Sequence, residues 1–156
     1  MQKWSREGVR LERTGFRDQE ISERHRFWGF DCPAVDIDFL MLEFNRGQPI
    51  AIIEYKRFTA QEPNPKHPSY RALSTLADGY AGYSMAIDEH GPLPCLIAFY
   101  WPKIWAFRIK LLNDAASACF DDGEMLTERA YVKRLYWMRR TECPAPLVAG
   151  LCDRLP

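Results

Sequence analysis

The 156-residue sequence has no surplus charge of either sign, because 21 lysines and arginines balance 21 aspartates and glutamates. That balance argues against a simple polybasic nucleic-acid binder, whose affinity would come from excess positive charge. It argues equally against an acidic disordered tail. Long hydrophobic runs are also missing. The densest apolar stretch, residues 93–101, stops at Pro102-Lys103, far short of the ~20 residues a membrane span needs, so no membrane partner is expected. Residues 1–13 are charged throughout and carry no apolar segment of the secretory type. The five cysteines are odd in number and form no C-x-x-C pair. A disulfide framework or zinc ribbon does not fit, and a cytoplasmic protein with reduced thiols is the expectation. There is no internal repeat and no low-complexity tract.

What is present is a globular composition. Hydrophobic residues make up 47% of the chain, enough for a packed core, and the length suits one domain over residues 1–156. Ile21, His25 and Trp28 fall at helical spacing, which predicts a helix over residues 17–28, stopped by Gly29. Residues 35–44 alternate as a strand. A turn follows at Asn45-Arg46-Gly47-Gln48, and residues 49–58 form a second strand, so the two make a β-hairpin. The proline-rich stretch 59–68 is a loop. Ser69 is placed to cap a helix running to about Ile87, carried by Leu73, Leu76, Ala77, Tyr80 and Ile87 and ended by His90-Gly91-Pro92. Residues 94–100 and 105–112 form a second hairpin. Asn113 caps a short helix through Cys119, and a last helix over 127–138 carries Tyr131, Leu135 and Met138 on one face. The tail from Cys143 has no clear pattern. One mixed sheet flanked by helices, a single α/β core, is the predicted architecture.

The second strand carries the chemistry. Ile50-Ala51-Ile52-Ile53 is apolar on both faces, as in a strand buried on both sides. Glu54 and Lys56 then interrupt it on one face. A buried carboxylate and ammonium are costly unless paired or bound to metal. Asp36 and Asp38 share a face of the preceding strand, and the hairpin places Asp38 opposite residue 54 or 55. Two carboxylates across a strand pair repel each other; a divalent cation between them reverses that sign. Oxygen ligands point to Mg²⁺ or Mn²⁺. Such a metal polarises a phosphoryl oxygen and lowers the pKa of a bound water, while a neighbouring lysine orients that water or stabilises developing charge.

Asp38 followed, after a hairpin, by Glu54-Tyr55-Lys56 resembles the PD-(D/E)xK nuclease superfamily. The resemblance covers residues 17–113, taking in a leading helix, the Asp-bearing hairpin, the E-x-K strand, an amphipathic helix and a further strand pair. It implies a restriction-endonuclease-like core of order α-β-β-α-β-β-α. It implies that Asp38 and Glu54 bind Mg²⁺ and that Lys56 assists the attacking water. Glu20, on the first helix, is the best-placed further acidic ligand, and Tyr80 is the candidate for a tyrosine on the helix after E-x-K. No proline directly precedes the aspartate, since Pro33 is three residues before Asp36 and five before Asp38. The motif residue is therefore Asp38 or Asp36. The apolar run Phe39-Leu40-Met41-Leu42 favours Asp38, with Asp36 as a second ligand or support.

Other readings compete at each position. Glu54 and Lys56 also suit an exposed edge strand, and Asp36 a turn cap after Pro33. His25 reads as structural, His67 and His90 as solvated. Trp101, Trp105, Tyr100 and Phe107 are core or cross-strand pairs, or surfaces on which bases stack. Arg129, Lys133, Arg134, Arg139 and Arg140 form a solvated face or a phosphate-contacting one. The cysteines read as small buried hydrophobes.

The expected function is a Mg²⁺- or Mn²⁺-dependent nuclease that hydrolyses DNA. By resemblance it has a phage or mobile-element origin, and a homodimer is compatible. The alternative is a nucleic-acid- or protein-binding regulator on the same fold that does not cut. Charge is distributed in opposed patches. Residues 31–54 hold five acidic residues against Arg46 alone, a net of −4, and residues 127–140 hold five basic residues against Glu128, a net of +4.

Overall fold

A computed structural model describes Glu20, Ile21, Arg24, Phe27, residues 37–43 and residues 45–156. The chain divides into two compact units, Met1–Val35 and Asp36–Pro156. In the first, Glu20, Ile21, Arg24 and Phe27 are helical; the rest of the predicted helix, with His25, lies outside the described residues. Asp36 and Phe44 lie outside them too.

The second unit is built on a mixed five-stranded sheet. Strand β1 (Phe39–Glu43) and strand β2 (Gln48–Arg57) form the predicted hairpin around a turn at residues 45–47. Gly47 takes a φ of +61° there, a conformation glycine adopts without a Cβ clash. Helix α1 (Pro68–Asp78) follows, then two short strands, β3 (Tyr83–Ser84) and β4 (Glu89–His90), which pair with each other in a separate two-stranded sheet. Strand β5 (Cys95–Trp101) and strand β6 (Ala106–Leu111) make the second predicted hairpin. A 3₁₀ turn at Asp114–Ala118, strand β7 (Met125–Leu126), helix α2 (Glu128–Met138) and helix α3 (Ala145–Gly150) complete the unit. The sheet order is β1-β2-β5-β6-β7, with β2 and β5 parallel and the other neighbours antiparallel. The parallel pair needs a crossover, which the loop after β2 and α1 supply.

Two expectations for the segment after the proline-rich loop are corrected. The cap of α1 is His67, whose Nδ1 accepts the Ser69 N–H at 3.3 Å, with Pro68 in the first turn. Proline suits that position because its missing N–H has no intrahelical partner there. The helix ends at Gly79 and does not reach Ile87. Gly79 and Gly82 interrupt the apolar period with poor helix formers, and residues 83–90 form the β3–β4 hairpin instead. Tyr80 therefore lies beyond the helix that the family resemblance placed it on.

Strand alternation divides the core in two. Ala51 and Ile53 of β2, Leu96 and Ala98 of β5, and Phe107 and Ile109 of β6 pack with Tyr131 and Met138 of α2 on one face. Ile52 and Cys95 pack on the other face with Leu73 and Ala77 of α1 and with Leu93. Asn113 ties this second layer to the sheet. Its Oδ1 accepts from the Cys95 and Ala116 N–H groups, and its Nδ2 donates to Leu93 O and Asp78 Oδ1. The predicted cap of the short helix is thus a hub for three segments.

Candidate functional site

The site lies where the α1-facing layer of β2 stops being apolar. Ile50 to Ile53 are buried, and burial continues into Glu54, which is 9% exposed. The β1–β2 register pairs Leu40 with Ile52 and Phe39 with Ile53. One further step sets Asp38 opposite Glu54 on the same sheet face. The Tyr55 backbone N–H donates to Asp38 Oδ2 at 3.3 Å, so the aspartate side chain extends the ladder past the end of β1. The hairpin arithmetic thus agrees with the observed placement of Asp38 beside residues 54 and 55.

Lys56 completes the group. Its Nζ donates to Glu54 Oε1 at 2.6 Å, with side-chain exposures of 34% for Lys56 and 11% for Glu54. The exposed-edge reading of this pair does not describe it, since β2 is an interior strand between β1 and β5. The two partners respond unequally. Burial pushes the Glu54 carboxyl above its ordinary value, and the Asp38 charge adds to this, outweighing the opposing pull of Lys56. The Glu54 hydrogen bond pushes the Lys56 ammonium up against its own desolvation, and the Tyr70 phenol on the first turn of α1 acts in the same direction. The site is thus an acidic pair held together under electrostatic tension, with a firmly protonated lysine on one side. An all-carboxylate donor set next to mutual repulsion suits a hard divalent cation.

Two further ligands were proposed from sequence, Asp36 and Glu20. Asp36 is outside the described residues. Glu20 belongs to the other unit, where it is helical and exposed. Among the described residues there is no group of three or more His, Cys, Asp and Glu side chains that would hold a metal ion.

The basic run on α2 is largely bound into the fold. Arg129 pairs with Asp153 at 3.1 Å. Arg134 donates to Cys119 O, pairs with Glu124 at 3.4 Å and lies over the Phe120 ring. Arg140 donates to Met85 O at 2.7 Å. Lys133 is exposed. The guanidinium groups of Arg129, Arg134 and Arg140, read from sequence as a solvated face or a phosphate-contacting one, meet carbonyls and carboxylates of the chain itself. A run of arginines does not reveal which acceptors the folded chain will offer.

The aromatic residues separate in the same way. Phe107 stacks on Tyr131 at 4.1 Å inside the core, and Tyr55 hydrogen-bonds Tyr131 between hydroxyls at 2.8 Å. Phe58, which sequence reasoning did not single out, stacks on Trp101 at 5.3 Å and is 45% exposed. The alternation 54, 56, 58 was the available signal for it. His67 is exposed as expected, yet it serves as a helix cap. Cys95 and Cys119 are buried, with thiols pushed up to about 12 and about 11 by that burial, which makes them packing groups. No helix among the described residues is long and apolar enough to cross a membrane. No family model, no curated protein and no solved structure matches the chain.

Proposed function

We propose that this protein is a metal-dependent nuclease that hydrolyses DNA phosphodiester bonds on a restriction-endonuclease-like core. The observation that carries the reading is the convergence of Asp38, Glu54 and Lys56 on one sheet face, with a buried Glu54 beside a second carboxylate. The Asp-bearing hairpin, the E-x-K strand, the helix after it and the second hairpin support the family resemblance in that order. Asp38 and Glu54 would hold Mg²⁺ or Mn²⁺. When bound, the ion supplies Lewis-acid polarisation of the phosphoryl group and a more acidic water. Lys56 contributes as a cation, because Glu54 holds it protonated. Its N–H groups orient the attacking water or meet the charge that develops on the phosphoryl oxygens; it does not act as a base.

A second reading is a regulator on the same core that binds without cutting. The 2.6 Å Lys56–Glu54 ion pair favours it, since the pair already neutralises the buried carboxylate without a metal. A cleavage assay on single- and double-stranded DNA, with and without Mg²⁺ or Mn²⁺, separates the two. Wild type should cut only with metal, and Glu54→Ala and Lys56→Ala should be inert yet folded. Equal residual cutting by both variants would remove the site assignment. No cutting of any nucleic acid, together with no metal binding by calorimetry, would favour the regulator.

A further inference from the structure

On the sheet face that carries Glu54 and Lys56, successive rows run across three strands. Glu54 aligns with Ile97 and Lys110, and Lys56 with Phe99 and Arg108. The next row holds Trp101 beside Ala106, with Phe58 stacked on Trp101 at an interplanar angle of 15°. The Phe58 N–H donates to Tyr100 O at 2.9 Å, so the Phe58 backbone is held against β5 just past the end of β2. The neighbour of the aromatic pair on the sheet is also flat: the Arg108 guanidinium lies over the Phe99 ring at 4.3 Å, anchored by Glu62 at 2.7 Å. Ala106 is fully buried and small, so nothing on β6 rises beside the Trp101 ring at that register. Lys103, exposed, lies in the turn two residues after Trp101.

We infer that Phe58 and Trp101 form a base-stacking platform that selects single-stranded DNA for the neighbouring carboxylate–lysine site. The inference rests on the nucleic-acid reading given above and narrows its substrate. The Phe58 ring, 45% exposed, leaves a flat apolar face open beside the site, and a nucleobase is the part of a DNA strand whose flat face would cover it. Bases in a duplex already stack on their neighbours, whereas single strands present free π-faces. Phe58 lies two residues past Lys56, one beyond the end of β2, so the two backbones are at most about 7 Å apart. A base on the platform and a phosphate at Lys56 thus belong to the same or adjacent nucleotides. Lys103, in the turn after Trp101, supplies a further cation for the backbone beyond the platform.

The test is fluorescence anisotropy of the full chain with fluorescein-labelled (dT)12 and with a 12-base-pair duplex, in EDTA so that no strand is cut. Wild type should bind (dT)12 at least about 10-fold more tightly than the duplex. Phe58→Ala should lose about 10-fold of the (dT)12 affinity, the size expected for one stacked base, with little change for the duplex. Phe58→Trp should retain it. Circular dichroism checks that each variant is folded, and Trp101→Phe offers a second, volume-tolerant probe that should bind within about 3-fold of wild type. Wild-type affinity in a folded Phe58→Ala, loss in Phe58→Trp, preference for the duplex, or no binding at all would each overturn the inference. The metal-dependent cutting assay reads independently. Phe58-dependent binding without any cutting would keep the platform and remove the nuclease; cutting by a Phe58→Ala protein that binds (dT)12 normally would do the reverse.

Discussion

Glu54 is the residue on which chemistry and stability meet. Its carboxyl is raised above the unfolded value by burial and by Asp38, so the folded chain prefers it protonated. The resulting penalty is missing below the ordinary carboxylate range, grows as pH rises, and is complete above the raised folded value. Glu54→Gln removes the titration while leaving an acceptor for Lys56. The variant should therefore match wild type in stability near about pH 4 and exceed it increasingly toward about pH 7. Urea midpoints at the two pH values check this; an advantage that shrinks with pH would contradict the assigned cause. Added Mg²⁺ should raise the wild-type midpoint, by the usual mass-action linkage, and leave the variant unchanged.

At the scale of elements, the segment after α1 depends on a close backbone approach. Gly91 sits at a φ of +37°, and a Cβ placed there would meet the Tyr80 carbonyl oxygen at 1.9 Å. Only displacement of backbone would relieve that contact, because the Gly91 N–H is also bonded to Gly82 O at 2.7 Å. Gly91→Ala should cost at least about 2 kcal/mol, in the range of strained-backbone substitutions. Thermal unfolding followed by circular dichroism would show it as a lowered midpoint, and an unchanged midpoint would mean that the hairpin moves freely. Strands β1, β2, β5 and β6 and helix α2 are legible in sequence because each shows its own periodicity between turn signals, whereas β3, β4 and β7, two residues each, are too short to show one. Helix α1 was over-extended because the apolar spacing to Ile87 mimics a helical stripe. The chain there folds back as β3–β4, and Met85 and Ala86 of its turn enter the core for a different reason.

At the scale of the whole molecule, both apolar clusters and the complete five-stranded sheet lie within residues 36–156. A chain shortened to these residues should unfold in one cooperative transition, with coincident circular dichroism and fluorescence midpoints. Two separated transitions would show that the sheet needs the first unit for its cooperativity. The zero net charge resolves differently from the way the charge patches suggested. Arg129, Arg134 and Arg140 of the basic run are held by acceptors within the chain.

The sequence alone determined the hairpin that carries Asp38, the burial of the strand ahead of Glu54, and the shared face of Glu54 and Lys56. These follow from alternation and turn chemistry, which act over a few residues. Tertiary structure decided what other charged or aromatic side chains meet: Tyr70 near Lys56, Cys119 O at Arg134, and Trp101 under Phe58. These partners lie 14 to 43 positions away along the chain. No local period encodes them, because a contact across the sheet is set by strand order and register, and those are chosen by burial of the whole core at once.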